Sequence, residues 1–557
     1  MDTHPDCIHP AIRGMGAFNR IAPPQFTQYD QWGRRVDELE TSEGWRALQA
    51  VGQQEGILSI FYERTYGEHS RSYGFAKVML MVADSHKIVC PLATTDGTAR
   101  VIELLGSGEM KKEILPRLIS RDPGFAFTSG QWMTERPGGS DVSQTETVAI
   151  PTGTTNALGP VYTLDGFKPL ASTDTQVSIA LARTGPLSAG SRSLSLFLIP
   201  LRLPLLRTPD APLPPSTSNN IFTNRIRQKI GTHALPTAEI SLQGTEAYLI
   251  GAPNGGVRNV TNVLNITRLW SAIISVGGLR KCLANATAYA RVRAIYPGGG
   301  AGAQLLADTP LHMAHLAQVH VLYRALVHLT FGAIRLLGKV ECGVASVDEE
   351  GRLRMLTPAV KAFVAEKAVG GMEEAMTALG AVGYMQENGF GTTIVDSLVE
   401  KYIFLPPAWT VLGADHDNQD MGWNDDGAIT RPDKSHAGPC DTRFIYFSKY
   451  APLALLSAAL TELTSALAAP TAPLVSRPAI ILVGFVAAAV FLLEHAVWAH
   501  TTSEQTREVD VDVVRRWVIE GGVGPAIEDV RRARRDTSGR ASSDRDLVFG
   551  VGARAKL

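Results

Sequence analysis

The chain has 557 residues, 45% of them hydrophobic and 19% charged, and its 53 basic and 54 acidic residues leave a formal net charge of -1. A chain of this length and balance forms several domains around a large buried core, which excludes a mainly disordered protein. The even charge balance also argues against a surface built to bind a nucleic-acid backbone.

The N-terminus carries Asp2, His4 and Asp6 and no apolar run, so no secretory signal is expected there. Residues 1–125 read as an α-helical domain, with Trp45, Leu48, Val51 and the segment 75–82 placing apolar residues at helical spacing. From 126 to 248 short apolar runs (161–164, 177–182, 194–199 and 238–242) are split by Gly, Pro, Ser and Thr, which predicts a small β-barrel or sandwich. The Pro/Ser-rich stretch 204–220 reads as a surface excursion. Long amphipathic helices return over 249–412 as a helical bundle, broken by the glycines of 298–302. A polar Asp/Gly-rich linker is expected over 413–444, and an extra helical region with a polar tail over 445–557. The fold class is therefore α+β, with a β-domain set between two helical regions.

One segment has two readings. Residues 479–498 are almost wholly apolar and long enough to cross a bilayer. Glu494 and His495 inside the run, and Arg477 as its only basic flank, favour a buried helix over a membrane span. The five cysteines (Cys7, Cys90, Cys282, Cys342 and Cys440) are scattered and form no CxxC, so neither a disulfide framework nor a metal site is expected. Arg531, Arg532, Arg534 and Arg535 form a basic cluster, but residues 504–557 hold 11 Lys/Arg against 10 Asp/Glu, a mixed face rather than a basic stripe.

The densest motif is Met133-Thr134-Glu135-Arg136-Pro137-Gly138-Gly139-Ser140-Asp141. Two hydroxyls and two adjacent glycines make a tight loop whose backbone N–H groups can approach a flat or phosphorylated ligand, since glycine has no Cβ to obstruct it. Taken alone, the glycines are equally a turn or bulge. Gly166-Phe167-Lys168-Pro169-Leu170-Ala171-Ser172 follows on a strand that continues to Arg183 and Thr184. Further along come Lys229-Ile230-Gly231-Thr232, with Pro236 to Glu239 behind it, and then Arg293-Ala294-Ile295-Tyr296. Last is Leu379-Gly380-Ala381-Val382-Gly383-Tyr384, whose glycines would by themselves serve as a helix C-cap.

In this order and spacing the motifs resemble the acyl-CoA dehydrogenase family. Tyr29-Asp30-x-x-Gly33 with Trp45, Cys90-Pro91 with Thr94-Thr95, and the extra C-terminal region are similar to its AidB-like branch. The resemblance implies non-covalent FAD, bound between a middle β-domain and helical bundles. It implies that Met133, Thr134 and Ser140 contact the isoalloxazine and pyrophosphate. Leu170, Ala171 and Ser172 would lie against the ring, with Leu170 standing where many members carry an aromatic residue. Arg293 would reach a pyrophosphate across a subunit interface, and Leu379, Gly380 and Gly383 would pass near the adenine of a neighbouring FAD. A homodimer or homotetramer with shared FAD sites is therefore expected.

The implied reaction is α,β-dehydrogenation of an acyl-CoA, with oxygen or an electron-transfer flavoprotein as acceptor. The family's catalytic Glu-Gly-Thr would follow an aromatic residue that resembles Trp409, but Thr410-Val411-Leu412-Gly413 stands there instead. The alternative base position resembles Thr267, before Arg268, which is not an acid either. Asp415, Asp417 and Glu387 are the candidate substitutes, and turnover is expected to be weak. An AidB-like flavoprotein with a nucleic-acid-binding or protective role is the alternative, and a non-catalytic scaffold a third. The final Ala555-Lys556-Leu557 is similar to a peroxisomal address, with a cytoplasmic location as the alternative.

Overall fold

The computed structural model describes residues 23–85, 88–206, 217–296, 302–402, 451–468, 474–535 and 539–550. They belong to two compact units. The first comprises Met1–Val319, Ala333–Thr357 and Ala365–Leu405; the second comprises His320–Gly332, Pro358–Val364 and Pro406–Leu557.

The first unit opens on a hairpin of β1 (Gln25–Tyr29) and β2 (Arg35–Glu40), which an all-helical reading of residues 1–125 does not anticipate. Its turn is the Asp30-x-x-Gly33 string, in which the Asp30 carboxylate accepts the backbone N–H groups of Trp32 (2.8 Å) and Arg34 (2.9 Å). Helices α1 (Glu43–Gln54), α2 (Ser59–Glu63), α3 (Ser70–Ser85) and α4 (Val89–Leu105) follow. Ser42 caps α1 by accepting the Trp45 N–H at 3.1 Å, which turns Trp45 and Leu48 into the core.

The β-domain runs through β3 (Ser129–Trp132), β4 (Val148–Asn156), β5 (Gly159–Ser172), β6 (Val177–Arg183), β7 (Leu194–Pro200), β8 (Arg202–Leu203), β9 (Thr217–Ser218), β10 (Ile221–Ile226) and β11 (Thr237–Ile250). Strands β5, β11, β7, β6 and β4 pair in a closed ring, with β10 added to β11 and β3 parallel to β6. The ring is the expected small barrel. Period-two alternation sorts its side chains into two cores. Ala180, Ala182, Phe197 and Ile199 pack inward with Trp132 and Ile240, whereas Ile179, Leu181, Leu196 and Leu198 pack outward against helical residues such as Ala99 and Val263. Because β6 and β7 are buried on both sides, they read as continuous apolar runs.

Helix α5 (Gly256–Val292) leads into the short strands β12 (Ala294–Ile295) and β13 (Gln304–Leu305), then into α6 (Pro310–Glu341), α7 (Val347–Thr377) and α8 (Phe390–Tyr402). A capping box closes the start of α7: Ser346 accepts the Glu349 N–H at 3.2 Å while Glu349 accepts the Ser346 N–H at 3.0 Å.

The described helices of the second unit's C-terminal part are α9 (Ala451–Ala468), α10 (Ser476–Thr501), α11 (Arg507–Ile519), α12 (Val523–Arg535) and α13 (Gly539–Phe549). Helices α6 and α10 are long and apolar enough to cross a membrane by length and composition. The apolar run of 479–498 lies in α10, whose Ala479, Leu482, Ala488 and Ala489 are fully buried within the unit. A Cβ at Gly484 would stand 2.4 Å from the Phe363 ring, so only glycine permits that approach. The Phe485 and Trp517 rings lie 5.3 Å apart, and the Trp517 indole N–H donates to the Phe485 carbonyl at 3.1 Å. The helix is thus packed as a core element. Arg531 and Arg534 of α12 both pair with Glu462 of α9, and Arg532 pairs with Asp529, so acids neutralise these members of the arginine cluster.

A buried charge network ties the helices of the first unit together. Arg71 of α3 donates to Asp96 of α4 at 2.6 Å and holds Glu341 of α6 with two bonds of 2.6 and 2.8 Å. Trp270 of α5 (2.7 Å) and Tyr62 of α2 (2.8 Å) donate to the same Asp96 carboxylate, and the Arg71 guanidinium lies 4.2 Å from the centroid of the Phe61 ring. Burial opposes the charge on Arg71, but the two carboxylates outweigh it and hold its pKa well above the usual value. Breaking one member leaves the others buried and unpaired, at a cost of about 3–5 kcal/mol. Arg71→Met should therefore lower the thermal midpoint by several degrees in differential scanning fluorimetry. A shift below one degree would show that the network is not a structural anchor.

Candidate functional site

The glycine-rich loop leaves β3 after Trp132 and is folded tightly on itself. The Glu135 N–H donates to the Gly138 carbonyl at 3.0 Å, and the Ser143 N–H donates to the Asp141 carboxylate at 2.8 Å. A Cβ at Gly138 would lie 2.4 Å from the Asp141 carbonyl oxygen, and one at Gly139 would lie 3.1 Å from the Thr134 side chain. Gly138 is therefore required by the loop's own path, and Gly139 is closely seated against Thr134. Met133 packs beside the barrel's outer apolar cluster, Thr134 is half-buried and Ser140 is exposed.

What holds this loop in place is Glu135. Its carboxylate is buried and receives Lys168 Nζ at 2.5 Å, Thr147 Oγ1 at 2.6 Å and the Glu146 N–H at 2.5 Å. Lys168 of β5 is itself wholly buried and also donates to the Leu181 carbonyl of β6 at 3.2 Å. Burial pushes the Glu135 carboxyl upward, but Lys168 and the hydrogen bonds outweigh it and leave the pKa below the usual carboxylate value. Downstream of the loop, the buried Arg183 donates to the carbonyls of Thr145 (3.0 Å), Ser143 (2.9 Å) and Gly190 (2.9 Å). In the sequence, Lys168 and Arg183 stand on strands with no role evident. Their signal is a cation in an otherwise apolar strand pattern.

The end of β5 joins this loop directly. The Trp132 indole N–H donates to the Ser172 carbonyl at 3.1 Å. Ala171 is buried, Ser172 is half-buried and Leu170 is exposed. Two residues on, Asp174 accepts the Trp45 indole N–H at 2.5 Å, linking α1 to the same strand end. Ser172 pairs across the sheet with Thr237 of β11. Lys229 reaches that pair from the connecting loop, donating to Thr237 Oγ1 at 2.9 Å and to the Leu235 carbonyl at 2.6 Å. The Thr232 N–H then donates to Asp396 of α8 at 2.6 Å, so the loop is fastened at both ends.

The other candidates make no hydrogen bond to this cluster among those the structure shows for the described residues. Arg293 follows the end of α5 and is exposed, with its backbone N–H bonded to the Tyr289 carbonyl at 2.9 Å. Leu379 and Gly383 are buried and Gly380 is exposed at a left-handed φ of 63° just past α7, the conformation of a helix C-terminus. Thr267 is buried, and its hydroxyl donates to the Val263 carbonyl one turn earlier at 3.1 Å, so it is occupied by its own helix. Glu387 stands exposed on a short 3₁₀ turn. Trp409, Thr410, Asp415, Asp417, the linker 413–444 and Ala555 to Leu557 lie outside the described residues.

Residues 254–403 match the family model described as acyl-CoA dehydrogenase, C-terminal domain, and residues 10–123 match that of the adaptive response protein AidB N-terminal domain. Acyl-CoA dehydrogenase family member 11 of Caenorhabditis elegans is 35% identical over 406 residues, covering 71% of this chain and 62% of that one. The chain belongs to the acyl-CoA dehydrogenase family, in its AidB-like branch. The putative acyl-CoA dehydrogenase AidB of Escherichia coli (strain K12) is 25% identical over 67% of this chain and 65% of its own. The match to each of these two relatives thus spans less than two thirds of the relative's length. Among solved structures, C. elegans ACDH-11 in complex with C11-CoA superposes with a TM-score of 0.78 at 28% identity, covering 98% of this chain and 89% of that one. The Bd2924 apo-form gives a TM-score of 0.71 at 34% identity, covering 86% and 90%.

The site of this family member suits FAD by its own geometry. Its loop admits no side chain at Gly138 and leaves little room for one at Gly139, and Thr134 and Ser172 carry half-buried hydroxyls with no hydrogen-bond partner among the described residues. Neutral hydroxyl and backbone N–H donors match an uncharged ring system and a phosphate. If the Lys168–Glu135 pair sets the loop, Lys168→Met leaves a buried carboxylate unpaired. It should weaken FAD binding at least tenfold in a fluorescence-quenching titration, with partial recovery in the Glu135→Gln, Lys168→Met double variant. No recovery would mean that the pair is uncoupled from the loop.

Lys229 carries a pH signature. Burial pulls its pKa down to about 8, against the opposing influence of Cys90 and Asp396. The unfolded chain therefore holds more protons than the folded one from about pH 8 up to the ordinary lysine value, and stability should rise with pH across that window. The gain in wild type over Lys229→Met between pH 8 and pH 10 should be about 1–2 kcal/mol, allowing for partial exposure. Urea unfolding at the two pH values checks it, and a constant difference would rule it out.

Proposed function

We propose that the protein is an FAD-dependent oxidoreductase of acyl-CoA dehydrogenase or oxidase type, carrying out slow α,β-dehydrogenation of an acyl-CoA. One observation carries this reading: the glycine-rich loop is fastened by the Lys168–Glu135 pair to the same strand, β5, that delivers Leu170, Ala171 and Ser172. Family membership and the relative solved with C11-CoA support it. FAD, when bound, supplies the acceptor for the hydride lost from the acyl chain. The chain's own residues then have separable tasks. The loop's backbone N–H groups and the Thr134 and Ser140 hydroxyls orient the cofactor, Ser172 offers a hydroxyl at the ring, and the apolar helix–barrel seam of Met133 and Val263 excludes water. Arg293 and the turn from Leu379 to Gly383 complete a neighbouring copy's site in a homodimer or homotetramer.

The α-proton has no acceptor among the site residues described above. The residue at the alternative base position, Thr267, is a hydroxyl spent on its own helix. This observation favours a second reading, a weakly catalytic AidB-like flavoprotein. Either oxygen or an electron-transfer flavoprotein is the acceptor, and the terminal Ala-Lys-Leu supports a peroxisomal location in fatty-acid metabolism.

Purified protein reconstituted with FAD should retain a visible flavin spectrum after gel filtration, and Ser140→Ala should lower the retained fraction. A colourless wild-type protein would end the flavin reading. General-base catalysis contributes about 10²–10⁴-fold, so anaerobic acyl-CoA should reduce the bound flavin slowly. Bleaching at the rates of ordinary dehydrogenases would instead establish an efficient base elsewhere in the chain.

A further inference from the structure

Strand β5 ends at Ser172 and β6 begins at Val177, so residues 173–176 connect two strands of the barrel. Ser172 is paired with Thr237 of β11 at the last position of that ladder, and the chain beyond it has to be held by other bonds. At one end the Trp132 indole N–H donates to the Ser172 carbonyl at 3.1 Å. At the other end the Thr128 N–H donates to the Gln176 side-chain oxygen at 2.7 Å, and the Gln176 N–H donates to the Thr128 carbonyl at 3.2 Å. In the middle stands Asp174, whose carboxylate accepts the Trp45 indole N–H at 2.5 Å.

Trp45 is a donor with a fixed direction. Its side chain is wholly buried, its backbone N–H is taken by the Ser42 cap at 3.1 Å, and an indole has a single polar hydrogen to offer. Among the described residues, the groups set against the Asp174 carboxylate come from α1: the Trp45 donor and the positive charge of Arg46. Thr128, just ahead of β3, adds a hydroxyl bond of 3.4 Å to the Asp174 carbonyl. Burial raises the Asp174 pKa above the usual carboxylate value, with Trp45 and Arg46 opposing it. Desolvating a carboxylate costs more than placing an apolar side chain there, and a bond to the charged form is about twice as strong as a neutral one. The connection thus has a charge-dependent fastening two residues from Ser172.

We propose that Asp174 is a positioning residue for the flavin: anchored on Trp45, it fixes the end of β5 so that the Ser172 hydroxyl meets the ring in one orientation. Asp174 acts through Ser172 and is assigned no cofactor contact of its own. Helix α1 thereby becomes part of the apparatus that shapes the site, although it supplies no residue to the glycine-rich loop or to β5. Protonating Asp174 weakens the fastening, so FAD affinity falls as the pH is lowered through its titration. Removing the Trp45 donor destabilises the anion and moves that fall to higher pH. The inference rests on the FAD reading above.

The test is FAD binding to the full-length apoprotein by fluorescence quenching, from about pH 8 down to about pH 5, a range that spans the titration of a raised carboxyl. The variants are W45F, D174N, S172A and the W45F/S172A double. W45F should weaken FAD binding about tenfold at neutral pH, the low end for a hydrogen bond to a charged group, and shift the acid loss to higher pH. D174N keeps an acceptor for the indole, so it should retain most of the affinity and flatten the pH dependence. S172A should weaken binding by itself, and adding W45F to it should cost less than about twofold more, because the two act through one contact. A purely structural bond would lower the thermal midpoint of W45F without moving the pH profile or the cycle. Wild-type affinity in W45F, an equal W45F penalty in both backgrounds, or a D174N profile parallel to wild type overturns the proposal. If W45F does not fold, D174L takes its place in the cycle; if that fails too, the D174N profile decides. Wild type that binds no FAD overturns the flavin reading itself. Wild-type affinity in S172A overturns the positioning role and leaves the flavin reading standing.

Discussion

The Lys168–Glu135 ion pair is the constraint on which the site depends. A loop of nine residues with two glycines and a proline has many accessible conformations, and the entropy of ordering it opposes any fixed geometry. Burying one charged end of that loop against a fully buried lysine removes the alternatives, because a displaced Glu135 would leave both charges desolvated and unpaired. The hydrogen bonds from Thr147 and Glu146 use the remaining carboxylate lone pairs, so the pair is satisfied rather than merely enclosed. The backbone of Met133 to Ser140 then takes its path from a rigid barrel and not from its own preferences.

The barrel is able to do this because its strands are buried on both faces. The ring from β4 to β11 fills its interior with small residues such as Ala180 and Ala182, and presents Ile179 and Leu181 to the helices. The seam where α4 and α5 meet the barrel is thus largely apolar. Thr94 and Thr98 meet Ser129 across it by hydrogen bonds of 2.6 and 2.7 Å. Behind the seam the Arg71–Asp96–Glu341 network locks α3, α4 and α6 in register, and Trp270 brings α5 into the same lock.

The glycine-rich loop that the proposed function assigns to the flavin is braced by the Lys168–Glu135 pair. Among the described residues, the alternative base position holds Thr267, a hydroxyl bonded to its own helix. Under the proposed function, turnover is slow because bracing the binding loop does not by itself supply a group to take the α-proton.

Taken by itself, the sequence determined the order of helical and β regions, the strand positions at 161–164, 177–182, 194–199 and 238–242, and the glycine-rich loop. These are local signals: periodicity, glycine and the spacing of hydroxyls survive in one dimension. It also carried the helix of 479–498, although hydropathy alone fits a bilayer and a protein core equally well, and only the packing of Phe363 and Trp517 in the second unit separates the two. The β1–β2 hairpin was present as Asp30-x-x-Gly33 but was masked by its helical surroundings. What tertiary structure alone decided is pairing. Glu135 and Lys168 are 33 residues apart, and Arg71 and Glu341 are 270 apart. No local pattern records that such charges meet, because burial and partnership are properties of the assembled core.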